Sequence, residues 1–200
     1  MATESTVLHL SRDDAGRWLT AEEFATAEYA EPWKYERIDG RLVVMSPKSP
    51  QHDDSLETFL DMLLAYKREH KDHVEKVVPE CWIRTDTKND LIPDLAVYIR
   101  SDRSAVRRPD RIPELVIEVV SPGRRSEARD YVVKRGAYHQ AGVLEYVTVD
   151  RFQQTVTVLT RAEAGFSERV LLPRDTDETP LLPGLDIPLR DVFVPIEDEL

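Results

Sequence analysis

Glu118 lies inside Leu115-Val116-Ile117-Glu118-Val119-Val120, an otherwise unbroken apolar run. An ionised carboxylate so placed faces a large desolvation cost unless it is paired or binds a metal. Two uses follow: an ion pair with a buried Arg or Lys, or a metal ligand. Asp94 opens the preceding apolar run, directly after Pro93. Alone, Pro-Asp is a common loop dipeptide. Together the two acids say more, because adjacent paired strands lie roughly 4.8 Å apart and carboxylates on them can converge on one hard cation. Held close without such a cation, the two would repel, and at least one would titrate above its ordinary value.

Asp130, Lys134 and Tyr138 follow at i, i+4 and i+8, one face of a helix. The plain reading is an Asp–Lys surface pair worth about 0.3–0.5 kcal/mol. The alternative uses the short loop Ser121-Pro122-Gly123, which folds the helix back toward the end of the Glu118 strand. A lysine delivered there would orient or deprotonate a water, or neutralise charge developing on phosphorus. His9, His70, His73 and His139 show no ligand spacing.

The elements that must position these residues can be read from periodicity. Thr20 with Glu23 is a capping box opening a helix over about 21–29, which Pro32 ends. Residues 35–45 predict a β-hairpin, with Asp39-Gly40 supplying the positive φ angles of a tight turn. Leu56, Phe59, Leu60, Leu63 and Leu64 form the apolar stripe of an amphipathic helix over about 51–71. Strands are expected over 74–83, 91–99 and 114–120, the last covered on both faces. Pro93 marks a strand entrance or bulge. A helix over 125–140, stopped by Gly142, precedes strands at 143–149, 154–160 and 167–172. The proline-rich stretch 180–194 reads as an extended segment laid on the core. The order predicts a mixed α/β or α+β fold, a sheet with helices flanking it. Residues 1–18 read as a loosely ordered polar lead-in, 19–194 as a single domain, and 195–200 as an acidic tail.

The chain has 200 residues, 41% of them hydrophobic, so a core of ordinary size can form. It lacks a signal-peptide layout and any membrane-length apolar run, which points to the cytoplasm. A single cysteine, Cys81, excludes an internal disulfide and a multi-cysteine metal site. The net charge of −11 is unusual for a nucleic-acid binder. The charge is uneven, however: residues 100–135 hold ten Lys or Arg against six acids, a local +4 that leaves −15 elsewhere. That stretch is either a solvated loop and helix face or a positive rim for phosphates.

The residues reach a resemblance as a set. They are Tyr35-Glu36-Arg37-Ile38-Asp39-Gly40, Met45-Ser46-Pro47 with His52, Pro93-Asp94, Glu118-Val119-Val120-Ser121-Pro122, Asp130, Lys134, Tyr138, and Ala141-Gly142-Val143 followed by Glu145-Tyr146. With a weaker echo at Leu182-Pro183-Gly184-Leu185, this set resembles the Uma-two family, restriction-endonuclease-like proteins of the PD-(D/E)XK nuclease superfamily. The resemblance implies an αβββαβ core, with Asp94 and Glu118 as the metal-binding acids. It implies Mg²⁺ as cofactor, with Mn²⁺ as a substitute, and hydrolysis of phosphodiester bonds in DNA. Val120 stands where the superfamily places its lysine, so Lys134 becomes the substitute. Glu36, His52, Asp130 and Tyr138 are accessory candidates. Arg103, Arg107, Arg108, Arg124, Arg125 and Arg129 are expected to flank the metal and contact nucleic acid. A homodimer would suit cutting of both strands. The departure at Val147-Thr148 is expected to affect core packing and not the site. The main rival reading is a catalytically silent nucleic-acid or protein-interaction module on the same fold; a third is hydrolysis of a small phosphorylated substrate.

Overall fold

The structure, a computed structural model, describes residues 7–121 and 129–193, without the side chains of Arg103, Arg129 and Asp130. Arg124, Arg125 and the acidic tail lie outside the described residues. In chain order the elements are β1 (His9–Leu10), α1 (Ala21–Thr26), β2 (Glu28–Tyr29), β3 (Lys34–Ile38), β4 (Arg41–Met45) and α2 (Pro50–Glu69). Next come β5 (Val74–Pro79), β6 (Ile83–Arg84), β7 (Asp90–Leu91), β8 (Leu95–Ile99) and β9 (Leu115–Val119). A π-helical turn (Arg129–Lys134) leads into α3 (Arg135–Ala141). The chain continues through β10 (Glu145–Asp150), β11 (Thr155–Ala162), β12 (Gly165–Leu171), β13 (Thr176–Glu178) and β14 (Asp186–Pro188).

The central sheet runs β12-β11-β10-β9-β8-β5. β9 and β10 are parallel, and the other neighbours antiparallel. The fold is therefore mixed α+β, and α2-β5-β8-β9-α3-β10 is the αβββαβ succession. β8 and β9 are buried along their whole length, as an apolar strand covered on both faces must be. On one face, Leu56, Phe59 and Leu63 of α2 pack against Val97, Ile117 and Val149. Leu182, Leu185, Ile187 and Leu189 cover the same face, so the proline-rich tail does lie on the core. Burying each such side chain stabilises by about 1.5–3 kcal/mol. On the other face, Ala137 and Tyr138 of α3 cover Ala96, Val116 and Tyr146. No helix among the described residues is long and apolar enough to cross a membrane.

A second sheet, β4-β3-β7-β6, carries the Asp39-Gly40 hairpin. Both turn residues have positive φ, 48° and 76°. Gly40 is required twice over, since a Cβ there would fall 2.6 Å from the Trp18 ring. Four expectations shift. The 21–29 helix stops after Thr26, and Glu28–Tyr29 pairs with β1 instead. The 74–83 strand breaks at Glu80, whose φ is 46°, and Ile83 joins the second sheet. The 91–99 strand breaks at Ile92-Pro93-Asp94, because proline cannot donate to a ladder. The lead-in is not loose throughout: Leu10 is buried with Phe24, Tyr35 and Leu42.

Candidate active site

β8 and β9 pair Leu95 with Ile117 and Ala96 with Val116. One step further, this register sets Asp94 opposite Glu118, and strand alternation turns both toward the same face. Both acids line one cleft of about 290 Å³. On the other side of Glu118, the parallel register places Thr148 beside it. Val147 packs in the hydrophobic core, while Thr148 is the strand neighbour of Glu118. Thr148 is buried, and its hydroxyl has no hydrogen-bond partner among the described residues.

Asp94 is only 5% exposed. Its Oδ2 accepts a 2.6 Å bond from the Val119 N–H and lies 3.1 Å from His52 Nε2. Its Oδ1 is 2.6 Å from the Lys48 ammonium. Burial alone would raise the Asp94 carboxyl, but the His52 hydrogen bond and the Lys48 charge outweigh it and hold it well below the usual range. Repulsion between two bare acids predicts that at least one titrates high; Asp94 is not that one, because the His52 hydrogen bond and the Lys48 ammonium outweigh its burial.

Glu118 is met from the helical side. Its Oε1 accepts from Lys134 Nζ at 2.8 Å and from the Tyr138 hydroxyl at 3.0 Å. Lys134 is 1% exposed, and its ammonium also reaches Glu36 Oε1 at 2.9 Å and the Ile92 carbonyl at 3.3 Å. Burial, then the charges of Glu118 and Glu36, push the Tyr138 phenol well up, so it stays a donor. Both uses weighed for Glu118 thus meet: the buried lysine that pairs it is the one expected beside the metal. The spacing of Lys134 and Tyr138 does deliver both to one oxygen. Asp130, in the π-helical turn that ends on Lys134, has its side chain outside the described residues.

Glu36 is placed by its neighbour. Arg37 and Asp90, each 2% exposed, join β3 to β7 through a 2.7 Å ion pair. That clamp lets Glu36 Oε1 accept the Ile92 N–H at 2.8 Å. Glu36 Oε2 is buried without a hydrogen-bond partner among the described residues.

The basic loop does not flank this site. Asp94 precedes the start of β8, and Glu118 is near the end of β9. The loop carrying Arg103, Arg107 and Arg108 joins the end of β8 to the start of β9, at the opposite end of the sheet. Arg111 in that loop is structural: it is buried, 2.6 Å from Glu75, and donates to the Ile99 carbonyl. The cations on the cleft are instead Lys34, Lys48, Lys134 and Arg151. Lys48 bridges Asp94 and Glu80, the latter at 2.9 Å, and Lys34 also meets Glu80, at 3.0 Å. Asp94 and Glu80 together raise the Lys48 ammonium despite its burial. Sequence reading missed Lys48, Glu80 and Arg151 because loops and turns carry no periodicity. Only their closeness to the quoted Ser46-Pro47 and His52 could have flagged Lys48.

The donor set suits a hard divalent cation in part. Among the described residues, no three His, Cys, Asp or Glu side chains group as a metal cage. Mg²⁺, however, is commonly held by one or two carboxylates with waters and substrate phosphate completing its shell. Asp94 and Glu118 in one cleft supply that, and Glu36, which shares the Lys134 ammonium with Glu118, has a second oxygen with no partner among the described residues.

The family profile described as "Putative restriction endonuclease" (Uma2) matches residues 21–190. The chain belongs to this family. Among solved structures, it is similar to "a putative nuclease belonging to DUF820 from Anabaena variabilis ATCC 29413", with a TM-score of 0.70 at 18% identity, covering 88% of this chain and 97% of that one. At that identity the likeness speaks for the fold, which is thus the family's nuclease-like one. No curated protein matches the chain. Within the family's 21–190 span fall both acids, Lys134, and the loop lysine that sequence reading overlooked.

Proposed function

We propose that this Uma2-family protein is a metal-dependent endonuclease that hydrolyses phosphodiester bonds in DNA. The observation that carries the reading is Lys134, a buried ammonium held between Glu118 and Glu36 in the cleft that Asp94 also lines. Asp94 and Glu118 are the residues that would hold Mg²⁺, or Mn²⁺ in its place. A divalent cation bound there supplies Lewis-acid charge to the phosphate. Lys134 has three N–H donors, and Glu118, Glu36 and the Ile92 carbonyl accept from it. It therefore serves as a fixed positive charge that orients water and offsets charge on phosphorus, and not as a proton acceptor. His52 and the Val119 N–H fix the Asp94 carboxylate, and Tyr138 fixes Glu118. Lys48 pairs with Asp94 Oδ1 and also with Glu80, so it would keep a carboxylate partner if Asp94 held a divalent cation.

Supercoiled plasmid incubated with Mg²⁺ or Mn²⁺ tests this. The wild type should nick or linearise it, and Asp94→Asn and Glu118→Gln should not. Absence of cleavage by wild type across both metals and several DNA forms would transfer the fold to the silent-module reading. The Lys48–Asp94 pair is the observation that favours this second reading, because it neutralises the acid without a metal. A homodimer would bring two such clefts to one duplex, which light scattering of the purified protein tests.

A further inference from the structure

β10 is parallel to β9, so Asp150 at its end emerges on the same sheet edge as Glu118. The next four residues turn the chain into β11, and Asp150 holds that turn tightly. Its Oδ1 accepts from the backbone N–H groups of Phe152 and Gln153, at 2.9 and 2.8 Å. Its Oδ2 accepts from the Gln153 side chain at 2.9 Å and from the Tyr131 hydroxyl at 2.7 Å. The turn ends on Gln154 with φ of 51°. A buried carboxylate with four donors fixes the direction of the two residues that follow it.

Those two residues are an arginine and an aromatic. Arg151 lines the cleft with Asp94, Glu118 and Lys134. Phe152 is 52% exposed, with the Arg151 guanidinium 5.3 Å from its ring centroid. The other two exposed aromatics have structural tasks. Trp18 covers Gly40, and Trp82 donates to the Tyr35 carbonyl and packs on Phe24 and Tyr29. Phe152 belongs to no core cluster and stacks on no other ring among the described residues. A phenylalanine held rigidly in solvent beside a cleft arginine has the composition of a base-stacking platform next to a phosphate contact. Bases within a duplex are already stacked on both faces, so such a ring takes an unpaired base without the cost of unstacking a step.

We propose that the Arg151–Phe152 turn grips an unpaired nucleotide next to the scissile phosphate, stacking its base on Phe152 and holding its phosphate with Arg151. The substrate class is thus DNA with a single-stranded, frayed or bulged nucleotide at the cut. This rests on the cleft being the nuclease site proposed above.

Fluorescence anisotropy without added metal tests the idea, so that nothing is cut. The probes are a fluorescein-labelled single-stranded oligonucleotide of mixed sequence and the same strand in a blunt duplex. Phe152 is exposed, so Phe152→Ala should melt at the wild-type temperature. It should weaken single-strand binding about tenfold, a typical loss for one stacked base, and leave the duplex within about twofold. Arg151→Gln should weaken both probes and reduce the salt-dependence slope by about one. If wild type binds DNA but Phe152→Ala keeps full single-strand affinity, or weakens both probes equally, the unpaired-nucleotide proposal falls and the nuclease reading stands. If wild type binds neither probe at low salt, both fall.

Discussion

The central sheet buries carboxylates at both of its ends, and treats them oppositely. Asp94, at the end where β8 begins, is 5% exposed and held well below the ordinary carboxylate range by His52 and Lys48. Glu145, which starts β10 at the other end, is 1% exposed and pushed up to about 7. Burial acts on both in the same direction; only the company differs. Glu145 Oε2 accepts a bond from the Thr179 hydroxyl, at 3.1 Å, while its Oε1 is buried without a hydrogen-bond partner among the described residues. The nearby Asp177 adds negative charge, and Arg169 pairs with Asp177 at 2.9 Å. At Asp94 an ammonium and an imidazole built around the carboxylate keep it ionised, and so able to bind a cation. Glu145 has neither group beside it among the described residues and holds its proton to higher pH. Perturbed acids alone therefore do not locate the site; the sign of the perturbation, with the neighbours that cause it, does.

The hardest test of this contrast removes the cation at the active end. Lys134→Met keeps the aliphatic stem but strands Glu118 and Glu36 in a buried position. We expect plasmid cleavage to fall by about two to four orders of magnitude. Urea unfolding should show a loss of about 3–5 kcal/mol, the usual consequence of breaking a buried pair from one side. Adding Glu118→Gln should recover part of that stability and none of the activity. Recovery of neither would mean that Lys134 acts mainly on Glu36. Undiminished cleavage by Lys134→Met would remove it from the chemistry.

A smaller effect is expected at the proton-storing end. Between about 4.5 and 7, folded Glu145 binds more proton than the unfolded chain. Its contribution is complete below 4.5 and is lost as pH rises through 7, so stability should fall across that window. Glu145→Gln keeps an acceptor for Thr179 and has no charge to bury. It should be more stable than wild type at pH 8 by on the order of 2 kcal/mol, with the slope flattened. Asp94 has the opposite sign: its contribution is present above its ordinary value of 3.8 and is lost on acidification below it. Urea midpoints at a series of pH values separate the two. A wild type whose stability rises from pH 5 to 8 would contradict the assignment for Glu145.

The sequence made the strand end of the site legible and left the loop end dark, for a physical reason. An ionisable residue inside an apolar strand violates the pattern around it, so Glu118 stands out with no structure at all. Asp94 follows from it, because strand pairing brings neighbouring strand ends together. The stripe of α2 and the Asp39-Gly40 turn were likewise legible, since each answers to a local rule. Lys48, Glu80 and Arg151 obey no period; three-dimensional closure alone brings them to the cleft. The basic loop misled for a related reason. Composition reports that Arg107 and Arg108 are near Asp94 in sequence, whereas an intervening strand carries them the full height of the sheet away.

That displacement yields the smallest expected effect and the sharpest check on the two-ended picture. Arg107 and Arg108 are exposed at the end where β8 runs out, whereas Arg151 leaves β10 at the end where Asp94 and Glu118 open. Five strand residues separate Asp94 from that loop, roughly 16 Å at the usual rise per residue. Screening over about 8–10 Å at physiological salt leaves little long-range pull from those two charges on a phosphate at the cleft. The double variant Arg107→Gln/Arg108→Gln should therefore cut plasmid within about twofold of wild type at that salt. At low salt, where charges act over about 30 Å, its association should slow modestly. Arg151→Gln should lower affinity in both conditions, because Arg151 lines the cleft in which the proposal puts the phosphate. A tenfold loss from the double variant at physiological salt would instead mean that DNA runs the length of the sheet, and that both ends belong to one binding surface.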